Sequence, residues 1–424
     1  MAHHITRSNY SRLVNRLNKF PQGAPPSELL NKILAILFSE QEAELVSKLP
    51  IKPFTVKKAI KVWKMKESET RKILEDLAAR ALLVDIEKNG ESVYALPPPM
   101  AGFFEFSLMR IRNDIDQKVL SELFYEYITK EDEFIRALFT DGETQLGRTF
   151  VHEPAIPDDN TIVVLDYERA SEVIKQASHR GISMCYCRHK KSHVDTACDA
   201  PMDICMTFNT SAASLIKHGH ARSVDVVEGL DLLQEAYDNN LVQFGENVQK
   251  RVNFICNCCG CCCEAMLAAQ RFAVMHPIHT TNFLPRVDDE CNGCGKCVNV
   301  CPVEAMTLVS ANNPNKPKMK KAKLNDDFCL GCGVCWRTCD KNQIEMQSRP
   351  KRVIPPYNGI QKSVLMAIER GKLQNLIFDN QVMWSHQALS AVLGTILKLA
   401  PVKKYLANRQ LKSRYIEAKI GKSL

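Results

Sequence analysis

No cysteine lies before Cys185 and none after Cys339, although the 424-residue chain has eighteen of them. That absence argues against a disulfide framework, whose cysteines run through the whole of a small secreted scaffold. Residues 1–20 also lack the apolar core of a secretory signal and are polar and basic instead. The expectation is a cytoplasmic protein with reduced thiolates on metal. Missing too is any uninterrupted apolar run of the roughly 18–20 residues that span a bilayer. The longest candidates, Leu29–Phe38 and Ala388–Val402, are each broken by a lysine. The formal charge of +8 is modest for this length and permits acidic partners without requiring them.

What is present is an ordinary globular composition, 45% hydrophobic and 25% charged, with length for two to four domains. Residues 1–26 are polar and end in a Pro-rich stretch, which reads as a flexible arm. After Ser27, a plausible N-cap, Leu29, Leu30, Ile33, Leu34, Ile36 and Leu37 recur at helical spacing. Helices are expected over Thr55–Trp63 and Glu67–Ala81. Two short strands then flank Asn89-Gly90, a strong hairpin signal. Three helices and a hairpin resemble a winged helix-turn-helix domain over 27–96. Pro97-Pro98-Pro99 marks a boundary, and a central, mainly helical Cys-rich domain is expected over 100–284. Within it, Phe103–Phe139 reads as mostly helical, Thr161–Leu165 as a strand, Glu168–Ser178 as a helix, and 211–250 as two or three helices. A ferredoxin-like domain over 285–348 and a helical, basic tail over 349–424 complete an α+β chain, with a last amphipathic stretch from Ser385.

Near the end of the cysteine-bearing region one motif occurs twice. Cys291-x-x-Cys294-x-x-Cys297-x-x-x-Cys301-Pro302 is followed by Cys329-x-x-Cys332-x-x-Cys335-x-x-x-Cys339. Three close thiolates wrap one face of a cubane, and the glycines between them (Gly293, Gly295, Gly331, Gly333) let backbone N–H groups approach its sulfides. The fourth cysteine reaches the partner cluster. Two [4Fe–4S] clusters are expected, one on Cys291, Cys294, Cys297 and Cys339, the other on Cys329, Cys332, Cys335 and Cys301. The pattern resembles the bacterial two-cluster ferredoxin domain. Asp340 stands where a proline usually follows the fourth cysteine, so the two clusters are expected to differ in potential. The Asn312–Lys323 insertion carries five lysines and reads either as a docking site for an acidic partner or as a solvated hairpin.

Ten cysteines remain: Cys185, Cys187, Cys198 and Cys205, then Cys256, Cys258, Cys259, Cys261, Cys262 and Cys263. Six thiols in eight residues cannot all face one core. One or two further iron–sulfur clusters are the leading expectation. A redox-active dithiol beside Arg188 and a tetrahedral zinc site stay open. Among the nearby histidines, His189 and His193 lie four residues apart and closest to the thiols. Cys258-Cys259-Gly260 resembles the CCG motif of heterodisulfide-reductase-like subunits, without that family's flanking spacing.

The whole arrangement resembles dicluster-ferredoxin proteins of anaerobic bacteria and archaea that combine a winged-helix-like start, CxCRH and CNCCxCCC-type segments and a C-terminal ferredoxin repeat. The resemblance implies low-potential, anaerobic electron chemistry. The expected role is an electron-transfer protein or oxidoreductase subunit, exchanging electrons with a redox partner such as a ferredoxin, a flavoprotein or a reductase subunit. Two alternatives are an enzyme reducing a substrate at the central site and a redox-sensing DNA-binding regulator. Nucleic-acid binding is not favoured, because the third helix sets Glu67, Glu69, Glu75 and Asp76 against Arg71, Lys72 and Arg80. The C-terminal stretch suits packing against protein better than peripheral membrane contact.

Overall fold

The computed structural model describes residues 2–88, 90–157, 164–378 and 389–395. The chain divides into two compact units, one comprising Met1–Thr144, Ala213–Ala221 and Asn358–Leu424, the other Gln145–Ala212 and Arg222–Tyr357. No described helix is long and apolar enough to cross a membrane.

The first unit starts with a helix, Ala2–Leu17, where a flexible arm was expected. Leu13, Val14 and Leu17 recur on one face of it and are buried, which anchors the segment. Arg16 on the same helix is buried and donates to the Leu49 and Pro50 carbonyls. Helices follow at Glu28–Leu37, Glu40–Ser47, Val56–Trp63 and Glu67–Ala79. Glu40–Ser47 was not expected, although its start is written in the sequence. Ser39 accepts from Glu42 N–H while the Glu42 carboxylate takes Ser39 N–H, a reciprocal cap. Strands Val84–Lys88 and Glu91–Ala95 pair antiparallel with Gly90 between them at φ +75, and Phe54–Thr55 adds a third strand.

The three prolines do not separate domains. Just after them Phe103 packs edge-on against Phe38 at 5.8 Å, and Phe104 lies 4.9 Å from Phe124 and 6.0 Å from Phe134. This aromatic core binds the segment up to Phe139 to the preceding helices, so the first unit extends to Thr144. The stretch 103–139 is helical in pieces, at Phe104–Phe106, Gln117–Phe124, Tyr125–Lys130 and Asp132–Phe139. Helices Gly359–Glu369 and Leu373–Ile377 form the described part of the tail. The amphipathic stretch expected from Ser385 lies outside the described residues except for 389–395, which are helical.

The second unit is organised by a sheet rather than by the expected helices. Six strands run in the order Gly147–Thr149, Val242–Glu246, Phe254–Cys258, Asp203–Phe208, Arg180–Met184, Arg222–Ser223, all antiparallel. Helices Ala170–Gln176 and Val226–Asp238 pack on it around Ile174, Leu233, Phe150, Ile182, Met206 and Ile255. The 211–250 stretch holds the end of helix Asn209–Lys217, helix Val226–Asp238 and two strands. The strand expected at Thr161–Leu165 falls largely outside the described residues, and Val164 and Leu165 are irregular. The ferredoxin repeat belongs to this same unit rather than forming one of its own. Its antiparallel strand pairs are Phe283–Val287 with Ile344–Ser348, and Met306–Ser310 with Lys320–Leu324.

Candidate metal centres

In the repeat, each run of three cysteines curls over two glycines with positive φ and then opens a one-turn helix. Gly293 and Gly295 precede Lys296–Asn299, and Gly331 and Gly333 precede Val334–Arg337. Gly331 admits no side chain, since a Cβ there would sit 2.1 Å from the Phe283 carbonyl oxygen. One cavity is lined by Cys291, Cys294, Cys297 and Cys339. The second set, Cys329, Cys332 and Cys335, is buried and has Cys301 as its electrostatic neighbour. Backbone N–H groups point at the sulfurs: Ala322 at Cys291 (3.5 Å), Ala305 at Cys301 (3.2 Å), Gly331 at Cys329 and Gln343 at Cys339 (both 3.3 Å). Such donors stabilise negative charge on a cluster and raise its potential, so the residues present fit the group.

The two sets differ in surroundings. Cys294 is exposed, and the Asp340 carboxylate beside the first set is ion-paired with Lys296, which offsets its charge. By the second set, the Arg349 guanidinium donates to the Cys329 carbonyl at 2.6 Å and to Thr281 O at 2.9 Å. Burial pushes the Cys329 thiol up to about 11. His152, which the sequence did not single out, donates its backbone N–H to Cys332 O at 2.8 Å. Its ring is buried against Tyr237, and burial pushes it down to about 4, keeping it neutral.

The ten remaining thiols are all free and fall into two groups, of six and four. Adjacent strands assemble the six. Cys256 and Cys258 sit on Phe254–Cys258, Cys205 on the neighbouring strand, and Cys185 follows the next strand, its N–H held by Met202 O at 2.7 Å. Alternation along an extended strand puts Cys256 and Cys258 on one face. Cys187 and Cys263 close the group. Side-chain contacts run in a ring, Cys185–Cys187–Cys263–Cys258–Cys256–Cys205 and back to Cys185. The Cys258 and Cys263 sulfurs are 3.0 Å apart. Acidity alternates around it: hydrogen bonds from their neighbours depress Cys185, Cys263 and Cys256, the last to about 6. The same bonds raise Cys187, Cys258 and Cys205.

The other four, Cys198, Cys259, Cys261 and Cys262, have their sulfurs within 4.8 Å of one another. Two buried cations lie alongside the ten thiols. Arg188, 1% exposed, donates to Pro201 O (2.9 Å) and Asn257 O (2.8 Å) and faces Cys185, Cys259, Cys205 and Cys258. Lys190, fully buried, pairs with Glu264 and faces Cys187, Cys263 and Cys262. Burying two cations is costly unless anions compensate, and metal-bound thiolates are such anions. His189 and His193 face each other, Nε2 to Nε2 at 3.2 Å, on the helix Tyr186–Ser192 and at its end.

Residues 290–349 match the family model of the 4Fe-4S dicluster domain. Those residues form a ferredoxin-like 4Fe-4S dicluster domain. The dicluster domain accounts for eight of the eighteen cysteines and leaves the Cys-rich central region outside the match. No curated protein and no solved structure matches the chain.

The dicluster domain touches the central cysteines through Pro302, the residue after Cys301. A Cβ on Gly260 would meet the Pro302 carbonyl oxygen at 2.9 Å. Gln270 clamps the contact, its amide donating to Gly260 O at 3.0 Å and to Pro302 O at 2.8 Å.

Proposed function

We propose that the chain relays single electrons between an external redox partner and a cluster held by the six-thiol ring, through the two cubanes of the dicluster domain. The observation that carries this reading is the contact of Pro302 with Gly260, which brings a motif cysteine of the buried set next to the cysteine-rich turn. A cubane supplies reversible one-electron chemistry when bound. This chain's residues set the route. The set Cys291, Cys294, Cys297 and Cys339, with Cys294 exposed, is the entry. The set Cys329, Cys332, Cys335 and Cys301 is the buried intermediate, poised by Arg349 and shielded by His152.

The entry side suits an acidic partner. The basic hairpin lies against the first set, with Ala322 N–H on Cys291 and Lys320 O packed on Gly293. Lys316, Lys318, Lys320 and Lys323 are exposed on it. Positive charge around an exposed redox centre steers an acidic protein toward it. The helices and three-stranded sheet over 27–96 support a winged-helix-like module. On its last helix Arg71 is held by Glu67 at 2.7 Å and Arg80 by Asp76 and Glu42. Guanidinium groups so occupied favour a protein-contact role over base reading.

The test is an anaerobic potentiometric titration followed by electron paramagnetic resonance. Wild type is expected to show signals beyond those of two cubanes, and C205S/C256S to lose only the additional ones. Spectra limited to two cubanes in wild type, or unchanged by the substitutions, would remove the ring from the relay.

A further inference from the structure

In the four-thiol group every sulfur lies within 4.8 Å of the other three. We propose that Cys198, Cys259, Cys261 and Cys262 form a mononuclear tetrathiolate site for zinc, separate from the iron–sulfur centres.

Sulfur spacing carries the assignment. Cys198 and Cys259 are 3.6 Å apart, Cys261 and Cys262 3.7 Å, and Cys262 and Cys198 3.8 Å. A single tetrahedral zinc with bonds of about 2.3 Å holds its four sulfurs about 3.8 Å from one another. A cubane gives each thiolate a different iron and spreads the sulfurs well beyond that. Among the described residues, no other three metal-ligating side chains lie this close together, the eight dicluster cysteines included. A dithiol switch brings two sulfurs to bonding distance, whereas here four unbonded sulfurs lie within 4.8 Å of one another.

The local chain explains the spacing. Cys259, Cys261 and Cys262 sit on the turn after strand Phe254–Cys258, and Cys198 comes from the irregular segment that follows helix Tyr186–Ser192. Neither segment has regular backbone bonding of its own, so an ion binding both staples them together. Gly260 on the same turn packs on Pro302, so the staple also fixes the contact with the dicluster domain. Four thiolates on a divalent ion leave a net charge of about −2, and buried Arg188 faces Cys259 to offset it. The six-thiol ring keeps its full complement when these four are assigned to zinc.

Metal analysis of the full chain purified anaerobically tests this, together with zinc-edge X-ray absorption. The expected result is about one zinc per chain in a shell of four sulfurs at about 2.3 Å. C261S/C262S is expected to lose the zinc with the iron content unchanged. Wild-type protein without zinc, zinc in a shell of nitrogen and oxygen, or a loss of about four irons in the variant would each overturn the assignment. Wild-type composition and the absorption spectrum decide the matter even where the variant does not fold.

Discussion

Gln270 donates its side-chain amide to the Pro302 carbonyl at 2.8 Å while also holding Gly260 O at 3.0 Å. This one residue fastens the cysteine-rich turn to the cysteine motif of the dicluster domain. Q270A removes both bonds and leaves two partly buried carbonyls without this donor, a cost of about 1–3 kcal/mol. The expected outcome is a lower unfolding midpoint and slower re-equilibration between the dicluster signals and the additional signals after rapid reduction. Unchanged stability and unchanged kinetics would mean that the clamp is incidental.

Gly331 adopts φ +70 with its α-carbon against the Phe283 carbonyl and the Thr281 hydroxyl. In G331A a Cβ would lie 2.1 Å from that carbonyl oxygen, so the loop must open and the Cys329, Cys332, Cys335, Cys301 set comes apart. Iron analysis is expected to show a loss of about four irons per chain. Retention of the full iron content would show that the loop tolerates the side chain.

Lys190 is buried in an ion pair with Glu264, and burial pushes its ammonium down to about 8. K190M strands the Glu264 carboxylate in the interior without this cation, which destabilises by on the order of 3 kcal/mol. It also removes a positive charge facing Cys187, Cys263 and Cys262. Denaturant unfolding of K190M and of K190M/E264L checks this, and the double variant is expected to recover much of the loss. No recovery would assign the effect to the thiols instead.

In the first unit, Asp85 is buried and accepts from Ser214 at 2.7 Å, from His218 at 3.0 Å and from Lys217. Burial would raise its carboxyl pKa, but these partners outweigh it and hold it below the usual value. A depressed folded-state pKa stabilises the protein above the unfolded value and is lost as pH falls through the folded one. D85N is expected to cost about 1–3 kcal/mol at neutral pH. Thermal melts of wild type and D85N should therefore converge as pH falls from about 5 to about 3. Parallel melting curves across that range would contradict the assignment.

The parts legible in the sequence are those where one local rule dominates. Asn89-Gly90 specified the hairpin because the turn needs positive φ, and Gly90 has φ +75. The doubled cysteine spacing located the dicluster domain because cubane binding fixes it. The six-stranded sheet was hidden for a physical reason. Val242–Glu246 is buried at all five positions yet carries Gln243, Gly245 and Glu246, so no continuous apolar run marks it as a buried strand. The N-terminal helix was masked by its polar face, although Leu13, Val14 and Leu17 mark its buried side. The division of the ten thiols into six and four was not legible at all. It depends on Cys205 lying beside Cys256 and Cys185 across strand pairings that no local pattern encodes.

Iron content per chain in anaerobically purified protein tests the central claim most directly. A relay from the dicluster domain to a cluster on the six-thiol ring predicts about twelve irons or more, falling to about eight when Cys205 and Cys256 are replaced by serine. A wild-type value of about eight would contradict the ring cluster, and iron-free motif cysteines would contradict the relay altogether.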